Sequence, residues 1–121
     1  MTIFYALISK RNNIVLCEWT EYSGNFQQYT MQLMNRIEAD TKKTFELEEF
    51  FFHYINEDGI TVLCMTDKQQ NKKVPFAFML DIKKTLLATY PAKEIEQARA
   101  YQMSNFTEKI KEKMVSNKRI R

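Results

Sequence analysis

The middle of the chain constrains the fold more than any other part. Two runs of apolar residues, 50–56 and 60–67, stand on either side of a short turn that contains Asp58 and Gly59. An Asp-Gly pair between two such runs predicts a β-hairpin. Residues 74–90 follow with apolar side chains at helical spacing, and they predict a helix directly after the hairpin. The chain is therefore expected to combine strands and helices in one fold.

The N-terminal part repeats the strand pattern. Residues 3–9 and 14–19 are apolar runs joined by a polar turn, so they predict a second strand pair. The first run is apolar at both alternating sets of positions, with Ile3 and Tyr5 expected on the same face, and such a strand belongs in the middle of a covered sheet. The second strand of the central hairpin shares this property. Residues 42–48 instead alternate between apolar and polar side chains, which is typical of a half-exposed strand at a sheet edge.

Three helices are predicted to cover the sheet. The first begins after a turn at residues 23–25 and runs to about residue 38, with one apolar stripe that suits one face of the sheet. The helix at 74–90 carries two adjacent stripes, so it needs the sheet on one side and a further element on the other. Apolar residues at helical spacing from Met103 to Met114 provide that element. These elements predict an α+β fold with one antiparallel sheet, one helix on one face and two helices on the other.

The composition indicates a single soluble domain. With 121 residues, of which 45% are hydrophobic, the chain is long enough to bury a core without disulfides or metals. Cys17 and Cys64 both lie within apolar strand patterns, so they are expected to be free, buried thiols in a reducing compartment. No apolar run approaches the roughly 20 residues of a membrane-spanning helix, and the first residues lack the features of a signal peptide. The cytosol is therefore the expected location of this chain by itself.

The positive charge is concentrated near the C-terminus. Residues 105–121 carry six Lys or Arg against two Glu, in a chain whose net charge is +3. A basic segment can bind an anionic membrane or RNA, and binding of that kind would weaken steeply with salt. The aromatic residues do not interleave with these charges, however, as they do in nucleic-acid-binding surfaces. A solvated helix face with lysines near its C-terminal end is the favoured interpretation.

No pattern in the sequence indicates catalysis or metal binding. His53 is the only histidine, and no second histidine or cysteine stands at the spacing of a metal site. The neighbouring acids Glu57 and Asp58 are explained by the turn that Gly59 completes. Cys17 lacks a base nearby in sequence. The chain is therefore expected to have no catalytic residue, metal or cofactor, and not to be an enzyme.

Six short motifs, in order over nearly the whole chain, resemble those of a known domain family. They are Ile-Phe-Tyr-Ala-Leu-Ile at 3–8, Tyr-Ser-Gly-Asn-Phe at 22–26, Phe-His-Tyr-Ile at 52–55, Thr-Val-Leu-Cys-Met-Thr-Asp at 61–67, Pro-Phe-Ala-Phe-Met at 75–79 and Met-Ser-Asn-Phe at 103–106. Together they resemble the longin domain at the N-terminus of the long vesicle-associated membrane proteins, which are R-SNAREs of the synaptobrevin-like family. The resemblance implies a longin or profilin-like fold with five antiparallel strands in the order 2-1-5-4-3. That order agrees with the residue patterns, which place strands one and five centrally and strand three at an edge.

The resemblance also implies a regulatory and sorting function in vesicle-mediated transport and membrane fusion. Domains of this type fold back on their own SNARE helix or bind adaptor proteins. In this chain, Phe45 and Leu47 on the edge strand, beside a helix with Met31 and Met34, would leave an apolar groove for such a partner. The alternative is that Phe45 and Leu47 belong to the core. The implied partners are the protein's own SNARE motif, other SNAREs and trafficking adaptors, with no nucleic acid.

The C-terminal residues depart from the R-SNARE pattern. An R-SNARE continues into a heptad-patterned helix with a central Arg and then a membrane anchor, and residues 117–121 show neither. We therefore expect residues 1–116 to form the longin domain and 117–121 to begin a linker toward a SNARE motif that this chain lacks. Such a fragment is expected to be soluble, at the cytoplasmic face of vesicle or endosomal membranes. The alternative is a standalone longin-like subunit of a trafficking complex.

Overall fold

A five-stranded antiparallel sheet forms the centre of the fold. The structure is a computed structural model, and it describes residues 2–21, 24, 26–68 and 72–119. The strands are β1 Ile3–Lys10, β2 Ile14–Thr20, β3 Lys42–Leu47, β4 Phe50–Glu57 and β5 Ile60–Asp67, in the order β2-β1-β5-β4-β3. This confirms the strand order that the resemblance implied, with β1 and β5 in the middle and β3 at one edge.

Helices cover both faces of the sheet. They are α1 Phe26–Met34, α2 Lys73–Thr89, α3 Ala92–Gln97 and α4 Thr107–Arg119. The first packs on one face and the other three on the opposite face, so the predicted arrangement is confirmed with the short α3 added. Helix α1 ends four residues earlier than predicted, and residues 23 and 25 of its predicted cap lie outside the described residues. Among the described helices, none combines the length and the apolar character needed to cross a bilayer.

One strand departs from the simple alternation that its sequence suggests. Ile3 lies with Ile8 in the core beneath α2, whereas Phe4 and Tyr5 both contact the core beneath α1. The expectation that Ile3 and Tyr5 share a face was therefore wrong. The pairing of β1 with β5 shifts between these two residues, and an irregularity of this kind moves the later side chains to the opposite faces.

The two cysteines are free and buried, as expected. Cys17 lies on β2 and Cys64 on β5, and β1 runs between those strands. The two cysteines are therefore separated by two strand spacings, about 10 Å, and a disulfide requires their Cα atoms to be closer than that. Burial, helped by the nearby charge of Glu18, raises the pKa of the Cys17 thiol to about 12, and burial also raises that of Cys64. Both thiols therefore act as small apolar groups of the core.

The two edges of the sheet differ in how they are covered. At the β2 edge, the backbone N–H of Tyr101 donates to the carbonyl oxygen of Val15 at 2.7 Å, and that of Met103 donates to Leu16 at 3.3 Å. The Tyr101 hydroxyl also donates to the Glu18 carboxylate at 3.0 Å. No described residue hydrogen-bonds to the outer side of β3 in the same way. The sheet therefore has one covered and one open edge within the described part of the chain.

Candidate partner-binding site

Strand β3 presents backbone hydrogen-bonding groups along its outer side. One step before the strand, the carbonyl oxygen of Thr41 accepts the backbone N–H of Asn56 on β4 at 2.8 Å. In an antiparallel ladder, successive residues alternate between facing the partner strand and facing away from it. The N–H and C=O groups of Lys42, Thr44 and Glu46 therefore point outward. A further strand could hydrogen-bond to them.

Phe45 and Leu47 alternate with these three residues along β3. Both side chains are half-buried, and both pack against the core beneath α1. The Phe45 ring stacks on Tyr54, with 6.0 Å between ring centroids and 20° between ring planes. Each side chain therefore contacts the core and also keeps an exposed part that a partner can reach.

The two methionines of the predicted groove lie in different environments. Met34 is only 3% exposed and belongs to the core that Phe45 and Leu47 contact, whereas Met31 is 49% exposed on the outer side of α1. Met34 also lines a cavity of about 460 Å³ at the C-terminal end of α1. The structure thus brings three of the four predicted residues into one apolar cluster and leaves Met31 at the surface. That these four residues bind a partner stays a prediction.

Charged side chains surround the apolar part of the edge strand. The Glu46 carboxylate forms an ion pair with Lys68 at 2.6 Å. The Lys42 amine lies 5.9 Å from the centre of the Phe76 ring, close enough for a cation–π contact. Lys43 is exposed between them. Charges on an edge strand disfavour indiscriminate pairing with other strands, so this edge favours partners that also match its side chains.

His53 is part of the support for the edge strand. It is buried, and its two ring nitrogens lie 2.8 Å from the Thr44 hydroxyl and 2.9 Å from the Thr66 hydroxyl. Burial, together with the nearby charge of Lys72, lowers the pKa of the imidazole to about 4. Among the described residues, no three His, Cys, Asp or Glu side chains come together as a metal site would require. His53 therefore links strands β3, β4 and β5 as a neutral hydrogen-bonding group.

The lysines of the basic C-terminal segment whose side chains are described make contacts within the domain. The Lys111 amine lies 4.9 Å from the centre of the Trp19 ring, and Lys113 forms an ion pair with Asp81 at 2.9 Å. The basic side chains beyond residue 116 lie outside the part of α4 whose side chains are described. The described lysines thus support the sequence interpretation of a solvated helix face.

Comparison with known proteins gives consistent matches. A family model described as the longin or regulated-SNARE-like domain matches residues 16–110. Vesicle-associated membrane protein 7B of Dictyostelium discoideum is 36% identical over 106 residues, which cover 87% of this chain and 40% of that protein. Vesicle-associated membrane protein 712 of Arabidopsis thaliana is 34% identical over 107 residues, 87% of this chain and 48% of its own length. The human vesicle-associated membrane protein 7 is 33% identical over 91 residues, 74% of this chain and 41% of its own length. The chain therefore spans less than half the length of these curated relatives.

Proposed function

The chain belongs to the longin family of regulated-SNARE-like domains, and on that basis we propose that it is the N-terminal regulatory domain of an R-SNARE. Its role would be to bind its own SNARE helix or sorting adaptors, and so to control membrane fusion and cargo selection. Family membership confirms the expectation that the chain is not an enzyme. The domain would act at the cytoplasmic face of vesicle or endosomal membranes, held there by a segment outside this chain.

The observation that carries this proposal is the open edge of β3 beside a half-buried apolar cluster. A partner segment in extended conformation would hydrogen-bond to the outward groups of Lys42, Thr44 and Glu46. Its apolar side chains would contact Phe45 and Leu47, which already have one side in the core. The backbone would provide affinity and the side-chain contacts would provide specificity. A helical partner would use the same apolar cluster together with Met31 on α1.

The first test is the binding of a synthetic peptide for the SNARE helix encoded by the same gene, measured by isothermal titration calorimetry. Replacing both Phe45→Ser and Leu47→Ser is expected to abolish binding, while the circular dichroism spectrum stays unchanged. The matched control replaces Leu80→Ser, an exposed leucine of α2 on the other face of the sheet. This control is expected to bind normally. Unchanged affinity in the Phe45 and Leu47 variant would refute the site.

A second variant tests the site without altering the core. Glu46→Pro removes an N–H that points away from β4, so the sheet is retained and one outward donor is lost. Glu46→Gln removes only the ion pair with Lys68 and keeps that donor. An extended partner should lose at least tenfold in affinity with the proline variant and little with the glutamine variant. Equal binding by both would leave only a helical partner, which contacts side chains alone.

The reading frame beyond Arg121 distinguishes the proposal from its alternative. A heptad-patterned helix with a central Arg, followed by a membrane anchor, would support a regulatory domain of a fusion protein. A stop codon would instead favour a standalone longin-like subunit of a trafficking complex.

A further inference from the structure

Helix α1 differs from the other described helices in carrying no charge. Its nine residues include no Asp, Glu, Lys or Arg, and the uncharged stretch extends over residues 22–35. Charged residues make up 27% of the whole chain, and each of the other three described helices contains at least three of them. The outer face of a surface helix is normally charged or polar. Five of the nine residues of α1 are exposed, so burial does not explain the missing charge.

Two amide side chains occupy the outermost part of α1. Phe26, Thr30 and Met34 are buried against the sheet. Gln28 and Gln32 lie on the opposite side of the helix, because successive residues are rotated by about 100° around its axis. The stripe of α1 that points away from the sheet therefore presents glutamine amides.

An aromatic and an apolar side chain flank these amides. Tyr29 is 43% exposed on one side of the glutamine stripe, and Met31 is 49% exposed on the other. Protein–protein interfaces are enriched in Tyr and Met, and charged residues are depleted at their centres. The outer surface formed by Gln28, Tyr29, Met31 and Gln32, here called the α1 face, has both properties.

The chemistry of the α1 face favours a second copy of this chain as its partner. A glutamine amide both donates and accepts hydrogen bonds, so it is complementary to an identical amide. A two-fold axis brings the same patch of two copies together, and like charges in such a patch would repel each other. Copies of a chain with a net charge of +3 also repel each other least through a surface that carries no charge.

Other kinds of partner fit the α1 face less well. A strongly charged protein would find no opposite charge on it. A membrane surface would find neither the lysines nor the continuous apolar stripe of an interfacial helix, because Gln28 and Gln32 occupy the centre of the face.

We propose that two copies of the domain pair through their α1 faces as an antiparallel, two-fold symmetric dimer. Gln28 of each copy then lies beside Gln32 of the other, and Tyr29 and Met31 cover the two sides of the amide contact. A helix of nine residues is about 14 Å long, so each copy buries less than the roughly 800 Å² that is usual in stable complexes. The dimer is therefore weak and is populated only at high local concentration.

The α1 dimer and the β3 site are linked through Met31. A helical partner that contacts Met31 would compete with the second copy, whereas an extended partner paired with β3 would not need this side chain. The inference goes beyond the proposed function and does not depend on it, because the chain forms the dimer without any other partner.

The test is self-association of the chain alone, measured by nuclear magnetic resonance of the ¹⁵N-labelled protein and by sedimentation velocity. Between tens of micromolar and low millimolar concentrations, the amide signals of Gln28, Met31 and Gln32 should shift, and the average sedimentation coefficient should rise. Met31→Ala should weaken self-association several-fold while the circular dichroism spectrum stays unchanged. The matched control is Leu80→Ala on α2, since Leu80 is also 49% exposed. This control should self-associate normally.

Charge substitutions test the two-fold symmetry. A variant with Gln28→Glu and Gln32→Glu, and another with Gln28→Lys and Gln32→Lys, should each stay monomeric because like charges meet across the axis. An equimolar mixture of the two variants should dimerise at least as tightly as the unaltered chain, and added salt should weaken that mixed dimer. Association is restored in the mixture only if α1 of one copy meets α1 of the other.

Three results would overturn the proposal. They are a spectrum that does not change up to low millimolar concentration, concentration-dependent shifts confined to β3, or a mixture of the Glu and Lys variants that stays monomeric. The variant with Phe45→Ser and Leu47→Ser should self-associate normally, even where it loses partner binding. Loss of self-association in that variant would place the contact at β3 and would also count against the α1 dimer.

Discussion

The imidazole of His53 and the hydroxyl of Thr44 lie 2.8 Å apart, and this hydrogen bond joins the edge strand β3 to the interior of the sheet. Thr66 on β5 holds the other ring nitrogen at 2.9 Å. The buried ring also contacts Phe51 and Phe76 edge-on, with 5.8 and 5.5 Å between centroids. The strand proposed to receive partners is thus supported by a group that is held neutral.

The first prediction is that acid destabilises the domain through His53. The folded pKa of about 4 lies below the ordinary value of 6.5, so the unfolded chain takes up a proton in that interval that the folded chain does not. The stabilisation is complete above pH 6.5 and is lost as the pH falls toward 4. Between about pH 7.5 and pH 5, the free energy of unfolding should fall by about 2 kcal/mol from this group. Urea titrations at both pH values measure the change.

The control for this prediction is His53→Gln. Glutamine keeps hydrogen-bonding groups near Thr44 but has no proton to gain, so its stability should change less over the same interval. Carboxylates such as Glu57 titrate in both proteins, and comparing the two therefore isolates His53. Parallel pH dependence of the two proteins would contradict the assignment.

The second prediction concerns the ion pair between Lys83 and Glu57. The side chain of Lys83 on α2 is buried, and its amine lies 2.6 Å from the Glu57 carboxylate, which is exposed. A hydrogen bond from Lys83 and its charge lower the pKa of Glu57. Lys83→Met should change the free energy of unfolding by less than about 1 kcal/mol, because the side chain stays packed and the released carboxylate is solvated.

The partner substitution should behave differently. Glu57→Gln leaves the buried ammonium with Asp58, at 3.9 Å, as its remaining described acidic partner. An unpaired buried charge costs more than the removal of the pair, so this variant should be the less stable of the two. Chemical denaturation of both variants shows which one is less stable. A Lys83→Met protein that is less stable than the Glu57→Gln protein would be inconsistent with this account.

The third prediction separates the two methionines of α1. Met34→Ala should lower the free energy of unfolding by about 3 kcal/mol, since it opens a cavity in the core beneath α1. Met31→Ala removes an exposed side chain and should change stability by no more than about 0.5 kcal/mol. Thermal and urea unfolding of both variants test this. If both variants lose the same free energy of unfolding, the orientation of α1 on the sheet would have to be revised.

The fourth prediction concerns the turn between β4 and β5. Gly59 has φ +78°, a conformation that costs other residues about 1–2 kcal/mol, so Gly59→Ala should destabilise the domain by about that amount. The new methyl group would also collide with the Arg11 side chain. In a background with Arg11→Ala, the same substitution should therefore cost less. A double-mutant cycle by urea denaturation measures the difference between the two costs. An additive result would show that the Arg11 side chain moves away from the new methyl group without an energetic cost.

The hydrophobic patterns were sufficient to place the central and edge strands, while the full strand order came from the family resemblance. Residues 60–67 are apolar at both alternating sets of positions and form the central β5, while 42–48 alternate and form the edge strand β3. These patterns follow directly from whether one or both faces of a strand are covered. The same reasoning failed at Ile3, because a shift in pairing register leaves no mark in hydrophobicity.

The candidate sites were harder to obtain from the sequence. Helical spacing placed Met31 and Met34 on neighbouring positions, but the rotation of α1 relative to the sheet decides which of them is buried. A cavity beside α2 is lined by Arg11, Gly59 and Leu87, which lie far apart in the chain and meet only when two hairpin turns and a helix end come together. No local pattern contains that information.

The unequal edges of the sheet also limit how copies of this chain can assemble. A sheet with two accessible edges can grow into a fibril, since each added molecule offers a new edge to the next. Here the segment around Tyr101 and Met103 covers the β2 edge, so β3 is the open edge in the described part of the chain. Two molecules that paired through β3 would each use that open edge. Strand-mediated polymerisation would end at a closed pair, even where many copies are crowded on one surface.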